Sequence, residues 1–294
     1  MSAAEKLQPQ AIAEKLEELP TLPSVVYELS RVISDPMSST SDIEKIMAGD
    51  QSLTAKVLKL ANSAYYAIPG GVSSLQRAVG YIGYDTIHQL VLSASIMNAL
   101  DSKSSEYFNL HGFWKHAIGV AMAAETTARI LHYRTPSDLF TCGLVHDMGK
   151  IALHIVDTEN FKQTVDFARE KGLSLHEAED ALQVAKHSTV GRLLATKWRL
   201  PMAIQACAAH HHQRDMALRG GLSSDLNHVV DIVYLSNLLI HAMKFGHSGH
   251  DKVLGVPKEV LDRMQLTPEK LEELIAEIKN SIANADNFLK IIGG

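Results

Sequence analysis

Leu144-Val-His-Asp-Met-Gly-Lys150 lies inside an apolar run, residues 140–153, whose composition is helical. It places His146 directly before Asp147. Adjacent residues on a helix point about 100° apart, so these two side chains can meet one ion only by leaning into a cleft from two sides. An imidazole nitrogen and a carboxylate oxygen suit Zn, Fe, Mn or Ni. Taken alone, an adjacent His-Asp pair is a weak signal of a metal site.

Further histidines occur in segments that also have helical character. His116 begins an alanine-rich segment, His187 precedes another helical segment, and three histidines at 210–212 follow the apolar residues 204–209. Helices packed side by side can project such residues into a shared core site. We therefore predict a divalent transition metal (Fe, Mn, Ni or Zn) bound by His116, His146, Asp147, His187 and histidines of the run 210–212. The alternative is a hydrogen-bonded polar cluster without metal, in which His187, His211 and His212 lie at the surface or behind the ligands.

Composition limits the class of protein. The 294 residues are 46% hydrophobic and 21% charged, which is typical of a globular protein. A net charge of −5 argues against a general nucleic-acid surface. Residues 1–10 lack the apolar core of a signal peptide, and we expect no run near the roughly 18 residues of a membrane span. Cys142 and Cys207 are interpreted as small buried hydrophobes in a reducing compartment, which predicts a cytoplasmic protein.

Helical periodicity and caps predict an all-α fold without strands. Two capping-box patterns are present, at residues 41–44 and 174–177, and Gly83 is expected to interrupt a helix. Ser137 or Asp138 is expected to cap the helix that carries the His-Asp pair. The other predicted helices cover residues 11–19, 24–34, 52–62, 75–82, 161–171, 174–185, 190–197, 228–243 and 267–284. Residues 88, 132, 154, 176, 228 and 241 are histidines interpreted as ordinary packing or surface residues.

Two short helices around the turn at Gly49-Asp50 could be a DNA-binding helix-turn-helix. The second of them offers only Lys56 and Lys59 for phosphate contacts. Binding to DNA depends mainly on such contacts. We therefore favour two packed helices of a bundle and predict no DNA partner.

The sequence resembles the HDOD (HD-related output domain) family of bacterial signalling proteins. The resemblance covers about residues 19–240. It is carried by Leu19-Pro20-x-Leu22-Pro23, Asp50-Gln-Ser-Leu-Thr54, Leu60-Ala-Asn-Ser-Ala-Tyr65, Ile82-Gly83 and Trp198-Arg-Leu-Pro201 with the later histidine pair. It implies a helical N-terminal lobe set on an HD-like helical core. With the polar residues 101–105 taken as the boundary, we predict the lobe over residues 1–108, the core over 109–245 and a C-terminal helical extension over 246–294.

The same resemblance assigns the candidate ligands. HD-type hydrolases use a histidine, a His-Asp pair, further histidines and a closing aspartate, which correspond here to His116, His146-Asp147, His187 and His211-His212, with a slip of one residue toward His210 left open. Asn237 stands where the closing aspartate is expected. The Gly-Tyr-Pro motif of cyclic di-GMP phosphodiesterases is absent after the histidine pair.

These features favour a regulatory output module that binds metal, acts through a signalling protein partner, and has no membrane segment. The alternative is a metal-dependent phosphohydrolase acting on a nucleotide or phosphate ester. In that case Lys150, one turn after His146, would balance the phosphate charge. The sequence leaves open the metal, the ligand, the partner and the oligomeric state.

Overall fold

The computed structural model describes residues 9–33, 35 and 37–292, and these residues form no strand. The predicted all-α fold is confirmed. The helices are α1 (Pro9–Leu16), α2 (Ser24–Ile33), α3 (Thr40–Met47), α4 (Gln51–Ala61), α5 (Leu75–Ala99), α6 (Leu110–Ile130), α7 (Pro136–Val145), α8 (Met148–Val156), α9 (Thr158–Lys171), α10 (Leu175–Leu182), α11 (His187–Lys197), α12 (Met202–His210), α13 (Ser224–Ala242), α14 (Lys258–Arg263), α15 (Pro268–Ile282) and α16 (Ala285–Ile292), with a 3₁₀ turn at Met216–Leu218.

Helix α6 is the centre of the core. It packs against α7, α13, α15 and α16. Many of its buried residues are glycine or alanine, from Gly112 to Ala128, so neighbouring backbones can approach closely. Because α7 and α13 both lie on α6, side chains from all three helices can meet inside the protein.

The sequence suggested that the His-Asp pair lies within one helix, but the pair lies in a turn between two helices. Helix α7 ends at Val145, and α8 begins at Met148. Asp147 has φ −101° and ψ 10°, outside the helical region, and its carbonyl accepts a hydrogen bond from the Lys150 amide at 2.9 Å. The turn between the two helices removes the 100° separation of adjacent helical residues, so both side chains point to the same side.

Helix α8 crosses α11 at very short range. A Cβ on Gly149 would clash with the carbonyl oxygen of His187 and would lie 2.7 Å from the amide nitrogen of Gly191. Only glycine permits this approach. The crossing therefore fixes Asp147, at the start of α8, beside His187, at the start of α11.

Two of the motifs quoted above, at residues 19–23 and 198–201, contact each other and join the N-terminal helices to the core. The indole nitrogen of Trp198 donates to the carbonyl of Pro20 at 3.0 Å, and Lys197 donates to the carbonyl of Leu19 at 3.3 Å. Helix α1 also packs against α8 and α11. These contacts place the N-terminal helices against the two helices that carry Asp147 and His187.

Several helix ends differ from the prediction because other residues form the caps. Helix α3 begins after Ser39, whose amide donates to Asp42 at 3.0 Å, instead of at the predicted box 41–44. Helix α7 begins after Thr135, with Pro136 in its first turn, instead of at Ser137 or Asp138. The predicted end of α2 at Ser34 and Pro36 lies outside the described residues, as does the stretch 1–8 on which the signal-peptide prediction rests.

Other local predictions are confirmed. Gly83 has φ 81° and ψ 166° and kinks α5. The box at Ser174 and Glu177 begins α10, since the Glu177 amide donates to Ser174 Oγ at 3.3 Å. The sequence interpretation missed α14 and α16, of which α16 packs against both α4 and α6. The division into segments 1–108, 109–245 and 246–294 stays a prediction.

One helical stretch of the described residues, Pro136–Val156, is apolar and long enough to cross a membrane by composition. Our expectation that no run approaches that length was therefore wrong. The stretch comprises α7, the His-Asp turn and α8, and 89% of its most apolar window is buried inside the protein. It is apolar because it faces the core, and such a helix is weak evidence for a membrane span.

Candidate metal centre

Asp147 is fully buried, and its carboxylate contacts four side chains. Its Oδ1 lies 3.2 Å from His187 Nε2 and 3.1 Å from His211 Nε2. Its Oδ2 lies 3.3 Å from His146 Nε2 and 2.6 Å from Lys150 Nζ. Burial alone would raise the pKa of Asp147, but the Lys150 ammonium and His146 hold that pKa well below its usual value. The charged carboxylate is therefore shared between two groups of imidazoles.

Hydrogen-bond acceptors outside the cluster orient the three imidazoles that contact Asp147. His146 Nδ1 and His211 Nδ1 lie 2.7 and 2.9 Å from backbone carbonyls of the preceding turn. His187 Nδ1 lies 2.7 Å from the carboxylate of Glu179. Because carbonyl and carboxylate oxygens only accept, each neutral imidazole donates from Nδ1 and keeps a lone pair on Nε2. The three Nε2 lone pairs therefore converge on a negatively charged carboxylate.

The ligand atoms form two groups that share Asp147. We call them position A (His116, His146 and Asp147) and position B (Asp147, His187, His211 and His212). Within each group, one ligand atom of each residue lies within 4.8 Å of all the others. All members are buried except His212, which is half-buried. His187 Nε2 is 3.3 Å from His211 Nε2 and 2.9 Å from His212 Nε2, so three imidazole nitrogens crowd together at position B.

The structure thus brings all six predicted ligands into one cluster. Of the histidine run, His211 and His212 belong to position B, and His210 belongs to neither position. Asn237 lies where the sequence placed it, with Oδ1 3.0 Å from His116 Nε2. That these residues bind metal stays a prediction.

Lys150 reaches the cluster as predicted, but its ammonium is already engaged. Besides Asp147 it donates to the carbonyl of Ser248 at 3.0 Å and to the Ser248 hydroxyl at 3.3 Å. We call residues 245–251, which follow α13, the C-terminal strap. Gly246 of the strap has φ 71°, and a Cβ there would clash with the backbone of His116. The strap therefore closes the cluster on the side of His116 and Lys150.

Sequence reasoning missed several residues around the cluster. His241 stacks on His250, with ring centroids 4.5 Å apart, and contacts His116 with its ring tilted, at 4.4 Å. Its Nε2 lies 3.2 Å from the Ser248 hydroxyl. His176 stacks on His212 at 4.7 Å. The interpretation of His176 and His241 as ordinary packing or surface residues is therefore corrected. Of the residues around the cluster, only Glu179 could have been recognised from the sequence, because it is an acidic residue on a helix just before the candidate ligand His187.

The cluster can hold a divalent metal ion. His146 Nε2 is buried and has no hydrogen-bond partner, although a carboxylate oxygen lies 3.3 Å away. A buried acceptor without a partner is unfavourable, so the cluster has an unused donor atom for a cation besides those that face Asp147 Oδ1. The carboxylate of Glu179 behind His187 is the arrangement that fixes a metal-binding imidazole and increases its basicity. Neutral imidazoles and one carboxylate are the donors that such ions prefer.

Burial makes the metal-free protein sensitive to acid. Desolvation lowers the pKa of His211 to about 3 and holds the pKa values of His116 and His212 well below their usual value. These histidines stay neutral in the folded state but bind protons in the unfolded state below about pH 6.5. Stability is therefore lost as pH falls through that value. Burial also lowers the pKa of His187, but Glu179 outweighs it and raises that pKa, so His187 opposes the trend.

We expect the free energy of unfolding of the metal-free protein to fall by on the order of 2 kcal/mol between pH 6.5 and 5.5. Urea unfolding in the presence of a chelator, followed by the fluorescence of the buried Trp114 and Trp198, measures it. Equal or greater stability at pH 5.5 would show that these histidines are not buried in the neutral form.

Comparison with known proteins places the fold. A family model for the HDOD domain matches residues 19–214. An uncharacterized protein of Treponema pallidum (strain Nichols) is 23% identical over 283 residues, which cover 94% of this chain and 52% of that protein. The chain therefore spans about half the length of the curated relative that it matches.

Three crystal structures have a similar fold. An HDOD domain protein with unknown function from Geobacter sulfurreducens is 24% identical, with a TM-score of 0.78 over 96% of this chain and 99% of that chain. A candidate signal transduction protein from Marinobacter aquaeolei VT8 is 20% identical, with a TM-score of 0.76 over 98% and 63%. A candidate phosphohydrolase from Shewanella amazonensis SB2B is 20% identical, with a TM-score of 0.72 over 96% and 98%. At these identities the likeness shows the fold alone.

Proposed function

The chain belongs to the HDOD domain family, and on that premise we propose that it is a cytoplasmic signal-transduction output module. Its helical core binds a divalent transition metal (Fe, Mn, Ni or Zn), and it acts through a protein partner. The observation that carries the metal binding is the convergence of the Nε2 atoms of His146, His187 and His211 on the buried carboxylate of Asp147. Each of these histidines lies at the start or end of a helix, and the helices come from distant parts of the chain.

The burial of the cluster supports a regulatory role over catalysis. A hydrolytic centre needs a cleft through which a phosphate ester can reach the metal. Five of the six candidate ligands are buried, and His212 is half-buried. Asn237 contributes a neutral amide where a hydrolase would have a charged carboxylate. Lys150, which would balance phosphate charge, is held by Asp147 and Ser248.

Two further observations support a module within signalling proteins. The curated relative is about twice as long as this chain, and the Marinobacter chain, named as a candidate signal transduction protein, extends well beyond the matched region. A domain found inside longer chains suits a role in passing a signal to a partner.

The two free, buried cysteines, Cys142 and Cys207, fit a reducing cytoplasm.

A metal-dependent phosphohydrolase is the second candidate function. It is favoured by two adjoining ligand groups that share one carboxylate, and by the fold shared with the candidate phosphohydrolase of Shewanella. When bound, the metal would polarise a phosphoryl oxygen and lower the pKa of a water molecule. In that reaction the chain would contribute Lys150, released from Asp147, as a cation beside the phosphate.

Hydrolysis assays separate the two functions. The full chain, loaded with Mn²⁺, Fe²⁺ or Zn²⁺, is incubated with nucleotides, cyclic dinucleotides and p-nitrophenyl phosphate, and compared with the His146→Ala variant. We expect binding of metal without turnover above the background of that variant. Turnover by the wild type that His146→Ala abolishes would overturn the regulatory proposal in favour of the hydrolase.

A further inference from the structure

The carboxylate of Asp147 is the only carboxylate shared by positions A and B. Its Oδ1 faces the imidazoles of position B. Its Oδ2 belongs to position A but already accepts from the Lys150 ammonium at 2.6 Å, the shortest contact that this carboxylate makes. A second metal ion at position A would have to compete with Lys150 for the same oxygen.

The ammonium of Lys150 cannot easily leave that place. The side chain is only 1% exposed, and the Ser248 carbonyl and hydroxyl hold the ammonium from the other side. The strap that carries Ser248 is itself fixed, since the His247 amide donates to the Gly112 carbonyl at 2.8 Å and Gly246 packs against the His116 backbone. Moving Lys150 away from Asp147 would leave a buried charge without its partner, which is strongly unfavourable.

Position A also lacks a second anionic ligand. Asn237, which lies 3.0 Å from His116 Nε2, is neutral. The buried charged groups at the cluster are Asp147, Glu179 and Lys150. A second ion at position A would therefore lie beside the Lys150 ammonium, which holds the same oxygen and repels a cation at short range.

We propose that the Lys150 ammonium, by holding Asp147 Oδ2, acts as a built-in cation that keeps a metal ion out of position A, so that the centre binds one metal ion, at position B. Asp147 Oδ1, His187, His211 and His212 hold that ion. His146 and His116 remain beside Lys150 and do not bind metal in the wild-type chain. The inference rests on the metal binding proposed above and states which half of the cluster performs it.

Position A nevertheless keeps the donors that a metal needs. His146 Nε2 has no hydrogen-bond partner and lies 3.3 Å from Asp147 Oδ2. Removing the ammonium frees that oxygen and leaves it beside an unpaired imidazole nitrogen. The Lys150→Met substitution, which removes the ammonium and keeps an unbranched side chain of nearly the same length, should therefore open position A to a second ion.

The number of bound ions tests this inference. The full chain is stripped with a chelator, loaded with Co²⁺, dialysed and analysed by plasma mass spectrometry and visible absorption. We expect one Co²⁺ per wild-type chain, two per Lys150→Met chain, and one per Lys162→Met chain, in which an exposed lysine is changed. Circular dichroism checks the folding of each variant. Lys150→Gln, which keeps a hydrogen-bond donor without the charge, is a second variant that we expect to bind two Co²⁺ ions per chain.

The possible outcomes are distinct. Two ions in the wild type, or one ion in both folded Lys150 variants, would overturn the inference while leaving metal binding intact. No ion in the wild type would instead overturn the proposed metal binding itself. One ion in the wild type that becomes two in either Lys150 variant supports the inference.

Discussion

Asp147→Ala is expected to lower the free energy of unfolding of the metal-free protein by about 3–5 kcal/mol, the usual cost of removing one partner of a buried ion pair. Asp147 is fully buried and pairs with Lys150 at 2.6 Å. Without the carboxylate, the Lys150 ammonium stays buried with only Ser248 as an acceptor. His187 and His211 also lose the oxygen toward which they point.

A double substitution separates the charge effect from the loss of packing. If the buried ammonium causes most of the destabilisation, Asp147→Ala should cost much less in a Lys150→Met background. Urea unfolding of the four proteins of this cycle, measured with a chelator present, gives the coupling energy. Asp166→Ala, which breaks only exposed pairs with Lys162 and Arg169, is the control and should change stability by less than about 1 kcal/mol. Equal costs in the two backgrounds would contradict the role assigned to Lys150.

Saturating metal should stabilise the wild-type chain by about 4 kcal/mol when free metal is a thousandfold above its dissociation constant. The stabilisation arises because the imidazoles of position B are assembled only in the folded state. His211→Ala removes an imidazole that lies 3.1 Å from Asp147 and 3.3 Å from His187 Nε2. We therefore expect this variant to lose most of the metal-dependent gain.

His210→Ala is the matched control, because it changes the preceding residue, which belongs to neither position. Its gain in unfolding free energy with Zn²⁺ should equal that of the wild type, as measured by urea unfolding with and without the metal. If His210→Ala and His211→Ala lose the same amount, the metal is bound without the geometry described for position B.

The sequence was sufficient to locate the cluster because its ligands have recognisable neighbours. His146 and Asp147 are adjacent, and His211 with His212 follows an apolar helix. The structure selects these two over His210 because the carbonyl of Cys207, one turn earlier, accepts from His211 Nδ1. Spacing alone could not make that choice, since three consecutive histidines each point in a different direction.

Other features of the centre depend on tertiary contacts that leave no local pattern. The break between α7 and α8 falls in an apolar run that has full helical character. It is stabilised by the contacts of the Asp147 side chain with distant residues. Ser248 meets Lys150 and His250 stacks on His241 only because the strap folds back against α6, where Gly246 fits against the backbone of His116. No periodicity in residues 241–250 indicates this approach.

X-ray absorption spectroscopy of the zinc-loaded full chain reports which atoms bind the metal. We expect a first shell of nitrogen and oxygen at about 2.0–2.1 Å and outer-shell scattering from three imidazoles. That scattering should weaken in His211→Ala and stay unchanged in His210→Ala. A spectrum without imidazole scattering, or one that His211→Ala leaves unchanged, would contradict the claim that these histidines bind one ion beside Asp147.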